Sequence, residues 1–319
     1  MCRQSLSLTQ IRSICTDQIV FNSTRRHDSA EVKGQPPDTQ YWAILTTAGC
    51  IHLDHIDACG LGTWFYSAYG TKILLVGTPK NPESCSMKPD LDDETKYRSD
   101  VEEDYVWDLV PLTPGSILYA VPFKAIGKST NNTYSIMRPN TLHFALTVGD
   151  QIKKEHAAIM FGGHFYNNAT LHRTLMGRWR QARWDLHVTN NTHDQSDQWI
   201  QRMLFFAATH WYQRHQWRKD NKGNPPDLLF NGQDLASLIF MCENSKLFDR
   251  IGLVRATEGP PARQRDAAEH EAVRLHGALS QSKDEGDQEV IQHLRQLTEE
   301  FEDYVKHDDD ISSAARSCT

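Results

Sequence analysis

The residues best suited to chemistry in this sequence are crowded into one short stretch, Gly49-Cys50-Ile51-His52-Leu53-Asp54-His55-Ile56-Asp57-Ala58-Cys59-Gly60. Two imidazoles and two carboxylates fall within the six residues from His52 to Asp57. On a strand, residues two apart project to the same side. A regular strand therefore puts His52 with Asp54 on one face and His55 with Asp57 on the other. Either pair offers a neutral nitrogen and an anionic oxygen to one metal ion. A further ligand from a distant strand would complete a two-histidine, one-carboxylate set. That set leaves positions open on Fe(II) for a bidentate cosubstrate and for O2, as non-haem oxygenases require. A His-X-Asp spacing is weak by itself, because it recurs by chance in a chain with 15 histidines and 41 acidic residues. A third copy, His307-Asp308-Asp309, lies in a solvated charge run and is set aside.

Such a set needs a framework that brings distant residues together. The chain has 319 residues and a mass of 36.5 kDa, enough for a sizeable core. Its 39% hydrophobic and 24% charged content and mean hydropathy of -0.58 exclude a membrane-embedded, collagen-like or wholly disordered chain. From Tyr41, short apolar runs rich in β-branched and aromatic residues follow one another over 41–49, 63–69, 72–77, 105–112, 116–122, 143–148 and 157–166. Turn-forming residues punctuate them, as in Tyr69-Gly70-Thr71, Thr113-Pro114-Gly115 and Arg138-Pro139-Asn140. Many short strands with little helix between them predict a β-sandwich or barrel, here over 39–170. Residues 1–38 read as a loosely packed N-terminal arm with a helix around Leu8–Val20, and the acidic stretch 80–104 reads as an exposed loop.

Beyond about residue 168 the period becomes helical. Trp199, Met203, Phe206 and His210 share a face that Leu204, Ala208 and Trp211 widen. A Gly-Asn-Pro-Pro turn at 223–226 separates this helix from a second one expected over 234–251. The segment 171–257 reads as a helical layer packed on the β domain, or a dimer contact, before any cofactor role. Residues 258–319 carry a helical stripe of Val290, Ile291, Leu294, Leu297, Phe301 and Val305 and read either as a peripheral amphipathic helix or as an acidic, partly disordered tail with a binding helix inside it.

The net charge of -7 argues against capture of nucleic acid through the bulk field. Basic residues and tryptophans do interleave at Arg178, Trp179, Arg180, Arg183, Trp184, Arg202, Trp211, Arg214, Trp217, Arg218 and Lys219. They admit a nucleic-acid or peptide surface, though an amphipathic layer with snorkelling arginines is the simpler reading. Direct nucleic-acid binding is left open. The seven cysteines are odd in number, spread, and without a Cys-X-X-Cys pair, which fits neither a disulfide framework nor a zinc ribbon. With no apolar signal core at the N-terminus and no apolar run of membrane-helix length, the expected location is intracellular, in the nucleus or cytoplasm, with no membrane partner.

The order of motifs carries further. His55-Ile-Asp57-Ala-Cys-Gly60, Gly62-Thr63-Trp64, Gly70-Thr71-Lys72-Ile-Leu-Leu-Val76, Leu112-Thr113-Pro114-Gly115-Ser-Ile-Leu-Tyr119, Met137-Arg138-Pro139-Asn140-Thr141-Leu142-His143 and Gly162-Gly163-His164-Phe165-Tyr166 follow in sequence. Taken together they resemble a jumonji C domain, in particular fungal-looking members of this cupin-like family of oxygenases. The likeness covers roughly residues 41–170, about two fifths of the chain. It implies a double-stranded β-helix (a jelly roll) followed by the helical segment and polar tail. It implies Fe(II) held by His55, Asp57 and His143. It gives Lys72 the distal carboxylate of the cosubstrate 2-oxoglutarate, with O2 as second cosubstrate. The activity implied is dioxygenase hydroxylation of a protein or peptide, including a histone-type substrate that loses an N-methyl group from lysine. A non-catalytic cupin-like binding or scaffold module is the alternative. This sequence departs from the family where His52 stands at a position usually bearing a hydroxyl, where Gly163 stands near a position some relatives give to an amide, and where 123–136 reads as an insertion. His52 with Asp54 is the fallback ligand pair, Asp54 can instead orient a ligand, and His164 is read as structural.

Overall fold

The β-branched and aromatic runs beyond Tyr41 form strands β1 (Tyr41–Thr47), β2 (Ile51–His55), β3 (Gly62–Tyr69), β4 (Thr71–Pro79), β5 (Tyr105–Leu112), β6 (Ile117–Leu118), β7 (Ile136–Met137), β8 (His143–Val148) and β9 (Ala157–Phe165). The structure is a computed structural model and describes residues 20–21, 24, 41–80, 105–115, 117–118, 136–149, 156–184, 195–220, 229–248 and 260–317. The expected helix near Leu8–Val20, the loop 80–104, the insertion 123–136 and the turn at 223–226 lie, edge residues aside, outside the described residues. Two compact units divide the chain: 37–165 with 176–192, and 1–36 with 166–175 and 193–319. The first contains nearly all of the expected β domain over 39–170.

In that first unit the strands make two antiparallel sheets. One runs β1-β9-β3-β6, with β7 also pairing β3; the other runs β2-β8-β4-β5. Strands near one another in sequence thus switch repeatedly between the sheets. Phe65, Leu74, Leu112, Met137 and Met160, drawn from both sheets, form one buried cluster, against which Trp42, Val76, Val110 and Ala145 pack. These residues define the inner faces of a sandwich, because side chains alternate across a strand. The inner rows are therefore Thr63-Phe65-Ser67 on β3, Lys72-Leu74-Val76 on β4, His143-Ala145-Thr147 on β8 and Met160-Gly162-His164 on β9. Thr46 and Thr147 join the sheets through a hydroxyl–hydroxyl hydrogen bond of 2.8 Å.

Two adjacent glycines in β9 make room for two indoles on opposite faces. A Cβ on Gly162 would lie 2.0 Å from the Trp42 ring, and one on Gly163 would lie 2.7 Å from Trp64 Nε1. Trp42 crosses Gly162 on the inner side to meet Phe65 edge-on, with ring centroids 5.5 Å apart. Trp64 crosses Gly163 on the outer side and meets Tyr41 at 6.0 Å. Gly163 therefore lies on the face away from the core, and its missing side chain takes nothing from the interior.

Helix α1 (Leu171–Trp184) begins in the second unit and from Met176 belongs to the first. Its Gln181 is fully buried and accepts the backbone N–H of Cys59. Its Arg180 donates to Asn140 Oδ1 at 3.0 Å. Cys59 and Asn140 each adopt φ +58°, a left-handed conformation that costs a residue with a Cβ roughly 1–2 kcal/mol. The helix thus braces the two strained turns that flank Asp57 and His143.

The second unit is helical, with α2 (Ser196–Lys219), α3 (Gly232–Glu243), α4 (Pro260–Gln281) and α5 (Glu285–Ser317). Helix α3 is buried along most of its length and packs against α2, α4 and α5. Asn231 caps it, accepting the N–H of Asp234 at 2.8 Å. The expected helix over 234–251 is shorter: α3 ends at Glu243 and a short 3-10 turn, Ser245–Phe248, follows. Of the two readings of the stretch from 258, the helical one holds: it gives α4 and α5 in place of a partly disordered tail. The physical reason is burial. Ala268, Ala272, Leu275 and Leu279 of α4, and Val290, Ile291, Leu294, Leu297 and Phe301 of α5, are all buried, and Phe301 meets Phe240 of α3 at 4.9 Å. The side chains of Val305 and His307-Asp308-Asp309 are outside the described residues. The two antiparallel sheets and the C-terminal helices agree with the expected class, although helix exceeds strand among the described residues.

Gly162→Ala should overpack the contact with Trp42 and cost about 1–3 kcal/mol in urea unfolding. In a Trp42→Leu background the same substitution should cost clearly less, a non-additivity that marks direct contact. Equal costs in both backgrounds would show that the indole does not need the glycine.

Candidate metal centre

Pairing of β2 on β8 sets the site. Ile51 is opposite Leu146, His52 opposite Ala145, and then His55 opposite His143. Three steps along β2 answer two along β8, so β2 carries one extra residue, a β-bulge. Ala145 and His143 share the inner face of β8, so their partners His52 and His55 share it too. Regular alternation had put His52 and His55 on opposite faces; the bulge re-aims the strand. His55 and His143 then stand side by side, their ring centroids 4.2 Å apart.

Asp57 follows two residues after His55, at the cap of a short 3-10 turn, Ala58–Gly60. Ligand atoms of His55, Asp57 and His143 all lie within 4.8 Å of one another. His55 is 9% exposed, Asp57 7% and His143 3%. The three residues predicted as ligands are thus brought together, while His52 and Asp54 are not in this group.

Both rings are oriented in the same way. His55 Nδ1 lies 2.7 Å from the Leu53 carbonyl, and His143 Nδ1 lies 3.0 Å from the Thr141 carbonyl. A carbonyl only accepts, so Nδ1 carries the proton in each ring and the lone pair sits on Nε2. Backbone bracing of this kind is common for metal-bound histidines. Asp57 accepts from the Thr63 hydroxyl at 2.6 Å, and Thr63 Oγ1 lies 2.8 Å from His164 Nδ1.

The electrostatics favour a ligand set in its metal-ready form. Burial is the main force on His143 and, despite the pull of Asp57 the other way, lowers it to about 4, so the ring is neutral at pH 7. Burial also lowers His164, against the pull of Asp57. For Asp57, burial pushes upward, but His143, His164, the Thr63 hydrogen bond and His55 together hold it below the usual carboxylate range. The centre therefore offers two imidazole nitrogens and one carboxylate, close enough together to hold a metal ion.

Lys72 lies on the same inner face. Val76 of β4 is opposite His143 and Lys72 is opposite Thr147, so the two rows are four residues apart, roughly 13 Å along the sheet. Lys72 is 2% exposed. Burial lowers its pKa, opposed by Cys50; among the described residues no carboxylate contributes. Burying an ammonium is costly unless it is paired. His52, half-buried, stands in the row between. It is lowered by burial, then by Lys72 and His55. Sequence reasoning read His164 as structural and overlooked Thr63. Their one visible signal was that Gly-Thr-Trp and Gly-Gly-His both belong to the ordered series of motifs.

Several of the interleaved arginines and tryptophans are engaged within the protein. Arg178, Trp179, Arg202 and Trp211 are buried, and Arg218 pairs with Asp284 at 2.8 Å. Among the described residues no helix is long and apolar enough to cross a membrane.

No family model matches the chain, and no curated protein matches it. Among solved structures it is similar to peruvianin-I, a cysteine peptidase from Thevetia peruviana latex, with a TM-score of 0.23, 13% identity and coverage of 39% of this chain and 48% of that one. It is similar also to a dTDP sugar isomerase from Desulfovibrio desulfuricans G20, with a TM-score of 0.23, 10% identity and coverage of 43% and 62%. The chain thus spans less than two thirds of the length of either structure.

His143 is held below its ordinary 6.5 at about 4, so between those values the unfolded chain binds more protons than the folded one. The metal-free protein should keep its full stability from this source above pH 6.5 and lose it as pH falls to about 4, at up to about 1.4 kcal/mol per pH unit. Asp57, held below 3.8, extends the loss further downward. Urea unfolding at stepped pH should show this slope, and His143→Gln should flatten it; a wild-type profile flat from pH 7 to 4.5 would contradict the burial of a neutral ring.

Proposed function

We propose that this chain is an Fe(II)- and 2-oxoglutarate-dependent dioxygenase of jumonji C type, built on a double-stranded β-helix, that hydroxylates a protein or peptide substrate. The observation that carries the reading is the gathering of His55, Asp57 and His143, distant in sequence, into one buried group. It does so inside a sandwich whose successive strands switch between sheets, as the strands of a jelly roll do. The donor set fits Fe(II): two Nε2 lone pairs oriented by backbone carbonyls, one ionised carboxylate, and little water. Lys72 fits the cosubstrate, as a buried cation on the metal's face of the sheet with no carboxylate among the described residues acting on it.

When bound, the metal with 2-oxoglutarate and O2 supplies the oxidation of a substrate C–H bond to an alcohol, with succinate and carbon dioxide as coproducts. The chain's own work is to hold and to exclude. His55, Asp57 and His143 fix the metal, and Lys72 holds the distal carboxylate. Phe65, with its ring centroid 6.3 Å from that of His143, and Trp42 behind it wall the centre with apolar surface. Where the hydroxylated carbon is an N-methyl group on lysine, the product collapses and the outcome is demethylation, the reaction of a histone-type substrate. An intracellular location, nuclear or cytoplasmic, goes with that reading.

Purified protein supplied with Fe(II) and 2-oxoglutarate in air should release succinate. His55→Ala, Asp57→Ala or His143→Ala should abolish that release. Lys72→Ala should raise the apparent KM for 2-oxoglutarate about 10–100-fold, the worth of a charged hydrogen bond. Metal uptake without succinate, across peptide substrates with and without methyl-lysine, would remove the enzyme and leave a cupin-like binding or scaffold module.

A further inference from the structure

We propose that Thr63 and His164 are positioning residues for Asp57, a brace that ties the carboxylate ligand to the opposite sheet. The inference rests on the metal centre described above. His55 and His143 sit in the β2–β8 ladder, and each ring is pinned through Nδ1 by a backbone carbonyl. Asp57 has neither support. It lies past the end of β2, at the cap of a turn whose next-but-one residue, Cys59, has positive φ. Nothing in the ladder fixes rotation of its carboxylate.

Thr63 and His164 supply what is missing. They are paired directly across the β3–β9 ladder, so the brace is as rigid as that sheet. Thr63 is fully buried and His164 is 8% exposed. A threonine hydroxyl has one proton and can rotate it. Asp57, ionised, can only accept, so the proton in the 2.6 Å contact comes from Thr63. Thr63 must then accept in its 2.8 Å contact with His164, which fixes the proton of that imidazole on Nδ1. The order is His164 N–H to Thr63 oxygen, then Thr63 O–H to Asp57 Oδ2. With a donor facing it from His164, the hydroxyl cannot turn its proton that way, and the carboxylate stays in one orientation.

The test uses Co(II) in place of iron, with the intact chain, reading affinity by titration and ligand geometry by the visible absorption of the bound ion. Thr63→Val, isosteric but without the hydroxyl, should bind Co(II) about 10–100-fold more weakly and with an altered spectrum, the usual cost of losing a group that orients a ligand. Thr63→Ser should restore both. His164→Leu should behave like Thr63→Val, and His164→Asn, which keeps an N–H donor near the Nδ1 position, should restore affinity and spectrum. This second pair decides the matter should Thr63→Val fail to fold by circular dichroism. Wild-type affinity and spectrum in folded Thr63→Val or His164→Leu would overturn the brace and leave the metal centre standing. Loss of affinity that neither Thr63→Ser nor His164→Asn restores would assign both residues to packing instead, and overturn the brace as well. Absence of Co(II) uptake by the wild-type chain would overturn the metal centre and the brace together.

Discussion

Two imidazoles and a carboxylate are buried against one another in this protein, and burial of polar groups is costly unless each finds a partner. The rest of the first unit can be understood as meeting that constraint. The extra residue in β2 brings His55 opposite His143 on the inner face. Backbone carbonyls of Leu53 and Thr141 accept one N–H hydrogen bond from each ring, and Thr63 donates to the carboxylate. What is left over is one ligand atom from each residue, all within 4.8 Å of one another, close enough to hold a metal ion.

The surrounding packing keeps that arrangement dry and still. Phe65 and Trp42 fill the inner face beside the histidines, and Trp42 can do so because Gly162 has no side chain to collide with it. From behind, α1 satisfies the turns on either side of the centre, through Gln181 to Cys59 and Arg180 to Asn140. Both turns contain a residue with positive φ other than glycine, so the strain sits next to the ligands and the hydrogen bonds that hold it come from a separate element.

Much of the fold was legible in the sequence, for particular reasons. The strands from Tyr41 to Phe165 announced themselves through β-branched and aromatic runs and through Gly, Pro and Asn between them. His55, Asp57 and His143, the three residues that the family resemblance singled out, are the ones the structure brings together. The bulge in β2 was not legible, since alternation is the only periodic signal that a short strand carries and a single inserted residue breaks it silently. That is why His52 was assigned to the wrong side. The stripe of α5 was visible from Val290 to Phe301, but α4 was missed because its surface is charged, and a polar composition hides a narrow apolar stripe of alanines and leucines until a partner helix is there to cover it. Thr63 and His164 escaped as a pair because nothing in a linear chain says which residues of two strands will face each other across a ladder.

The placement of β2 beside β8 has a temporal side. His55 lies early in the β unit and His143 near its end, with β3 to β7 between them. On the ribosome, the first half of the centre emerges long before its complement, and the loop to be closed is long, so its formation waits on a non-local contact of the kind that slows β-rich folding. A nascent or truncated chain lacking β8 carries His55 and Asp57 with no third ligand. The three candidate ligands therefore come together late, once β2 has paired with β8.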